Sequence, residues 1–287
     1  MNKKMCLIGA GRVGSSLFKA FADNGYTPAA IISRTEASAK SLSEHIGSSI
    51  YGTDYSLIPN DVGFILISVS DDNLVEAVES LDSTWNFGEG TLVTHTSGII
   101  ESSILEPLKN KGAKIVSIHP AASFSTDGEI DIKGITFGVE GADIESGIDL
   151  VTRIGGKPIK INPGKKSQYH AACTFASGYI NTLLGVSDEL LRKSGVENPT
   201  EIISNLVETA MQGWKTDGSG ALTGSIARGD SEAVKKHLEA LADDKTTLQL
   251  YKTLALSTLQ SCEKNNLLDT SQVEALKAII HESNPSN

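Results

Sequence analysis

The chain has 287 residues, enough to bury a sizeable core and to divide into two domains. Its 35 acidic and 25 basic residues leave a formal charge of −10, and no long basic run offers a track for a phosphate backbone. That balance argues against nucleic acid as a partner and favours small soluble substrates.

No apolar stretch approaches the length of a membrane span, and Met1-Asn2-Lys3-Lys4 leads straight into an apolar run without room for a cleavable signal region. A cytoplasmic location without membrane contact is expected. Cys6, Cys173 and Cys262 form an odd, scattered set, which suggests neither a disulfide framework nor a metal site. They read as small core residues, and no metal is expected.

In chain order, the first expected strand, Met5-Cys6-Leu7-Ile8, runs into Gly9-Ala10-Gly11-Arg12-Val13-Gly14, and a helical pattern follows from Ser15. This is a GxGxxG loop in a strand-to-helix context, where each glycine has a task. Gly9 permits the tight turn, Gly11 lets the backbone approach a pyrophosphate, and Gly14 lets the helix pack closely on the strand. Gly9, Gly11, Arg12, Val13 and Gly14 are therefore candidate cofactor-binding residues. The second strand, Pro28–Ser33, is followed by Arg34 where an NAD-binding protein usually carries an acid. Ser33, Arg34 and Thr35 offer hydroxyls and a guanidinium fork suited to a 2′-phosphate, so NADP is expected over NAD. Glu36 is the competing feature, since a shifted loop would place its carboxylate on the ribose.

Further strands are expected at Phe64–Val69, Thr91–Thr96, Lys114–Ile118, Thr136–Val139 and Pro158–Ile161, alternating with helical patterns. This rhythm predicts a Rossmann-type, mostly parallel sheet covered by helices, an α/β fold. Val69 and Ser70 end one strand and are expected beside the nicotinamide. Asp71 or Asp72 serves either there or as a helix cap. Two more strand ends, Thr94-His95-Thr96-Ser97-Gly98 and Ser117-Ile118-His119-Pro120, should open into the same crevice. A histidine can act as acid or base near neutral pH, while Ser97 and the backbone at Gly98 can orient a carbonyl or carboxylate. The alternative for His95 and His119 is a strand-end residue bonded to neighbouring backbone.

After Asn162-Pro163-Gly164 strand signals stop, which places a boundary between a nucleotide domain at 1–162 and an all-α domain at 163–287. Helices are expected from Lys165 to about Lys193, Pro199 to about Trp214, Ser231–Ala242, Lys245–Lys264 and Ser271–Glu282, the last begun by a Ser271/Glu274 capping box. A frayed tail is expected at 283–287. On the first of these helices Lys166, His170, Thr174, Ser177 and Asn181 form one polar stripe, which reads as the lining of a cleft. Ala172, Phe175, Ala176, Tyr179, Leu183, Val186 and Leu190 form an opposite apolar face expected in the domain core.

These residues together resemble the 6-phosphogluconate-dehydrogenase-like superfamily of two-domain oxidoreductases. Within it the chain is similar to a family joining a Rossmann-like NADP-binding domain to a C-terminal domain of unknown function. The resemblance rests on Gly9–Gly14, His95–Gly98, His119-Pro120, Tyr169-His170-Ala171-Ala172 and Leu222–Asp230, departing from the usual pattern at Ser225, where proline is more common. It implies hydride transfer between NADP and a small, anionic carbonyl, imine or alcohol compound at the domain junction. Lys166, with Tyr169 three and His170 four residues on, matches a catalytic spacing of the superfamily, and it would polarise the substrate oxygen or nitrogen or relay a proton. His119 or His170 would supply acid–base help, Ser97, Gly98, Ser177 and Asn181 would orient the substrate, and Arg228 would bind its carboxylate. Prephenate dehydrogenases have a histidine-proline pair and a serine that His119-Pro120 and Ser97 resemble, so a prephenate- or arogenate-type enzyme is one alternative. The other is an NADP-binding sensor or assembly protein without turnover. Related pyrroline-carboxylate reductases form dimers through the helical domain, and a homodimer is expected here.

Overall fold

Strand β1 (Lys4–Ile8) shows how the sheet is built, with Met5 and Leu7 entering one apolar core and Cys6 and Ile8 another. Successive side chains of a strand point to opposite faces, so a run that is apolar at every position requires both faces to be covered. All four residues of β4 (Phe64–Ile67) are buried for the same reason. The computed structural model of the protein describes residues 2–124 and 130–282, and the tail expected at 283–287 lies outside them.

With β2 (Thr27–Ile32), β3 (Ile50–Gly52), β5 (Leu92–His95), β6 (Lys114–Pro120), β7 (Thr136–Glu140) and β8 (Lys157–Lys160), these strands form one sheet in the order β3-β2-β1-β4-β5-β6-β7-β8. Neighbours run parallel except for β6 and β7. The order of connection reverses between β1 and β4, which opens a crevice at the carboxyl ends of the strands.

On the first face pack α1 (Arg12–Asp23), α2 (Glu36–Ile46) and α5 (Ile144–Arg153), through Leu17, Phe18, Phe21, Ala39 and Leu150. On the second pack α3 (Leu74–Ser83) and α4 (Glu106–Lys109), through Leu74, Val78, Leu81 and Leu108. Phe21 meets Tyr26 and Phe64 edge-on, with centroids 5.2 and 5.0 Å away. Each buried ring of this kind contributes ~1.5–3 kcal/mol. These contacts fix α1 on the sheet, and with it the glycine loop at its start.

Strand β3 was not expected from sequence. It has three residues and pairs only with β2, too short a run for an alternating pattern to show.

The long helix expected from Lys165 to Lys193 is two helices, α6 (Lys166–Ala176) and α7 (Gly178–Lys193), broken at Ser177 (φ −134°, ψ −76°). The hydroxyls of Thr174 and Ser177 donate to the His170 and Cys173 carbonyls at 3.1 and 2.7 Å, and Gly178 follows. Hydroxyls that compete for ladder carbonyls, next to a glycine, are a recognised cause of helix kinks. The stripe from Lys166 to Asn181 therefore does not lie on one helix. Its expected apolar counterpart is a core face only at its end, where Leu190 packs against the core of the helical unit; Phe175 and Tyr179 are 69% and 50% exposed.

Two compact units divide the chain, Met1–Tyr179 and Ile180–Asn287, so α6 groups with the sheet although the expected boundary at 162/163 precedes it. In the second unit α8 (Pro199–Asp217), α9 (Gly224–Ala227), α10 (Ser231–Ala240), α11 (Lys245–Lys264) and α12 (Thr270–Glu282) follow. Val234 and Leu238 of α10, Ala255 and Leu259 of α11, and Leu276 and Ile280 of α12 form its core. A reciprocal cap does start α12, but it is made by Asp269 and Gln272 rather than by Ser271 and Glu274. No helix among the described residues is long and apolar enough to cross a membrane.

Candidate active site

The glycine loop has the geometry its sequence requires. Gly9 adopts φ +99°, its N–H donates to the Ile32 carbonyl at 2.8 Å, and a Cβ there would lie 2.3 Å from the Ser68 carbonyl oxygen. A Cβ on Gly14 would lie 2.3 Å from the Gly9 carbonyl oxygen, so this glycine admits close packing of helix on strand. At Gly11 a Cβ would meet nothing within 4 Å. Protein packing demands the first and third glycines, while the second faces open space.

Gly11 also precedes α1 without a side-chain cap, and no acid occupies the first turn. The first N–H groups and the positive end of the helix dipole remain available to an anion. Val13 packs against the first core, and the Arg12 guanidinium donates to the Phe124 carbonyl at 3.1 Å.

From this loop a cavity of about 540 Å³ extends along the crevice past Ser33, Arg34, Thr35, Val69 and Ser70. That volume lies within the usual range for small-molecule sites. Arg34 is exposed and has no ion-pair partner among the described residues. The Thr35 hydroxyl caps α2, accepting from the Ser38 N–H at 3.3 Å and pairing with the Ser38 hydroxyl at 2.8 Å. Tyr55 and Glu76 also line the cavity but carry no local sequence signal. Neither Asp71 nor Asp72 caps α3; the turn is instead held by Asn73, whose amide donates to the Ser70 hydroxyl.

A second cluster lies where β5 and β6 end and α6 begins. His95 is fully buried, and its Nδ1 accepts from the Ser97 N–H at 3.2 Å. Burial first, and the Lys166 charge second, push its pKa down to about 3, so it is a neutral structural residue. The Ser97 hydroxyl accepts from the Ile99 and Ile100 N–H groups at 3.3 and 3.0 Å, pinning the turn after β5.

His119, next to last in β6, lies opposite Gly138 of the antiparallel strand β7. Its Nδ1 is 3.0 Å from the Tyr169 hydroxyl, and its ring meets the His170 ring edge-on with centroids 5.7 Å apart. Burial lowers its pKa to about 4, assisted by His170 and Lys166 and opposed by Asp71. Two glycines give these rings room. A Cβ on Gly98 would lie 2.3 Å from the His170 ring and 2.8 Å from His119 Nε2, and one on Gly138 would lie 2.7 Å from the Tyr169 hydroxyl.

Lys166 is fully enclosed, its ammonium donating to the Ile100 carbonyl and the Ser117 hydroxyl. Burial lowers its pKa to about 8, against the pull of Glu140, Asp71 and Glu101. Glu140 is itself buried and accepts from the Ser102 N–H and hydroxyl at 2.8 and 2.9 Å.

The fold thus brings together Ser97, Gly98, Ser117, His119, Lys166, Tyr169 and His170, all within the motifs the sequence singled out, and adds Gly138, which sequence reasoning had not assigned to the site. The Ser177 hydroxyl is spent on the Cys173 carbonyl at the kink. Asn181, on α7, and Arg228, after α9, are exposed residues of the helical unit.

Comparison with known proteins agrees with this architecture. Residues 2–120 match a Rossmann-like domain, and residues 135–258 match a domain of unknown function, DUF2520. No curated protein matches the chain. A candidate NADP oxidoreductase from Bacteroides fragilis is 25% identical, with a TM-score of 0.73 over 90% of this chain and 98% of its own. A pyrroline-5-carboxylate reductase from Coxiella burnetii shares the fold at 15% identity, with a TM-score of 0.59 over 99% of this chain and 98% of its own. An imine reductase from Myxococcus stipitatus in complex with NADP+ shares it at 16% identity, with a TM-score of 0.56 over 98% and 93%.

Proposed function

We propose that this chain, a Rossmann-like domain joined to DUF2520, is an NADP-dependent oxidoreductase that moves hydride between the cofactor and a small, anionic carbonyl, imine or alcohol compound. The observation that carries the proposal is the open second glycine, beside an uncapped helix start, at the head of a cavity that runs to Arg34. These residues suit a dinucleotide. The N–H groups of α1 would hold the pyrophosphate, Arg34 with Ser33 and Thr35 the 2′-phosphate, and Val69 and Ser70 would border the nicotinamide. When bound, the cofactor supplies or accepts the hydride.

The chain's own residues provide the surroundings. In this reading His119, held neutral, and His170 lie next to the Gly98 backbone and meet the substrate. Lys166 does not touch it. The enclosed ammonium ties the start of α6 to the ends of β5 and β6, and its charge adds to burial in lowering the pKa of His95 and His119. Ser97 acts through the turn that carries Gly98. Kinship with the Bacteroides fragilis protein supports the cofactor assignment.

Loss of nicotinamide absorbance with a panel of keto acids and cyclic imines tests the proposal. Turnover with NADPH supports it, tight NADP binding without any turnover favours a sensor, and absence of NADP binding overturns it.

We further propose a homodimer through the helical unit, because α8 buries only Pro199 and leaves Leu206 and Trp214 64% and 59% exposed. Apolar side chains concentrated on one helix in this way call for a partner surface. Light scattering at micromolar concentration checks this, and a monomer mass overturns it.

A further inference from the structure

Tyr169 stands behind His119 in a way that determines which imidazole nitrogen carries the proton. The phenol lies on the Gly138 backbone, where a Cβ would be 2.7 Å from both its Cζ and its hydroxyl oxygen, and the hydroxyl is 3.0 Å from His119 Nδ1. Of the groups around that oxygen, the Gly138 amide is a donor, and the Cys173 thiol one turn along α6 is a weak acceptor. His119 Nδ1 is the strong acceptor. The phenol remains protonated, since burial and Cys173 raise its pKa further, and its O–H therefore points at Nδ1.

A neutral imidazole whose Nδ1 accepts must carry its proton on Nε2. Nε2 packs beside Gly98, where an added Cβ would lie 2.8 Å from it, and it has no hydrogen-bond partner among the described residues.

We infer that Tyr169 is a positioning residue that holds His119 as the Nε2–H tautomer, so that the site offers its substrate a hydrogen-bond donor and takes an acceptor there, a carbonyl or carboxylate oxygen. This rests on the oxidoreductase reading for the word substrate, but not for the tautomer. A donor imidazole polarises an oxygen without giving up its proton, whereas an Nε2 lone pair would act as a base.

The groups facing His119 are His170, Tyr169 and Lys166 from α6, Asp71 from the turn after β4, and the Ser97–Gly98 backbone. Of these, only Tyr169 bonds its ring nitrogen.

Long-range proton–nitrogen NMR of the full chain with labelled histidine, assigned by loss of signals in His119→Asn, tests the inference with no substrate. In the wild-type protein at neutral pH, His119 should show a protonated Nε2 and a hydrogen-bonded, unprotonated Nδ1. Tyr169→Phe keeps the buried ring and removes the O–H. The Nδ1 resonance should then move to the position of a free acceptor, and the pKa of His119 should rise, because a bond that favoured the neutral form is gone. A proton on Nδ1 in the wild type, or a fall in that pKa in Tyr169→Phe, overturns the inference. If the variant fails to fold, the wild-type tautomer decides alone. Failure of NADP to bind would remove the oxidoreductase reading and leave this tautomer assignment standing.

Discussion

At Gly11 an added methyl group would meet nothing within 4 Å, whereas at Gly98 it would lie 2.3 Å from the His170 ring and 2.8 Å from that of His119. Both glycines border the same edge of the sheet, and both belong to short motifs that stand out in the sequence. The first leaves space for something outside the chain. The second leaves space that the chain fills with its own imidazoles. A motif glycine is thus explained only when its neighbours are known, and the difference can be measured, since substitutions at the open end should act on binding and those at the filled end on folding.

Gly9 lies at the open end but serves the fold, so it gives the largest expected effect. Gly9→Ala combines a left-handed φ of +99° with a Cβ 2.3 Å from the Ser68 carbonyl oxygen, and should cost roughly 2–5 kcal/mol in urea unfolding. Normal stability in this variant would show that the turn can relax and that the loop is not set by packing.

Lys166 should make stability depend on pH in an uncommon direction. Unfolded, it titrates near 10.5, and folded near 8, so across that window the unfolded chain holds more protons and stability rises with pH. The rise should amount to on the order of 3 kcal/mol in the wild type relative to Lys166→Met, which has no proton to lose. Parallel stability curves for the two proteins would mean that the ammonium is solvated rather than enclosed.

Arg34→Ala should leave folding unchanged and weaken NADP by roughly 1.5–3 kcal/mol while sparing NAD, as calorimetric titration of both cofactors would read. Equal losses for the two would remove the 2′-phosphate assignment. Gly98→Ala crowds two rings and should cost ~1–3 kcal/mol of stability. Gly11→Ala, by contrast, should change stability by no more than ~0.5 kcal/mol yet obstruct the dinucleotide. Should these last two variants lose equal stability, the contrast between open and filled glycines fails.

Much of the sheet was legible because its signal is local. Phe64–Ile67 is apolar at every position, and the glycine loop and the Arg34 turn each follow a strand at a fixed distance. The features that escaped depend on partners remote in the chain. Lys166 read as a member of a polar stripe, but its buried partners Ile100 and Ser117 are 66 and 49 residues away. Tyr169 was visible beside His170 in a motif, yet its meaning comes from His119, 50 residues earlier. Phe175 and Tyr179 fell on the apolar side of a helical wheel, and a wheel cannot say whether anything covers that side. The break at Ser177 had a local signal in Thr174, Ser177 and Gly178 that was outweighed by the periodicity on either side.

The two outer strands of the sheet have a consequence for how the protein behaves when crowded. One margin is β3, only three residues long; the other is β8, Lys157-Pro158-Ile159-Lys160, which offers no N–H at Pro158 and holds two cations along its length. Short margins, proline and lysine each discourage a foreign strand from docking. The sheet therefore resists growth by strand addition without being rolled into a barrel.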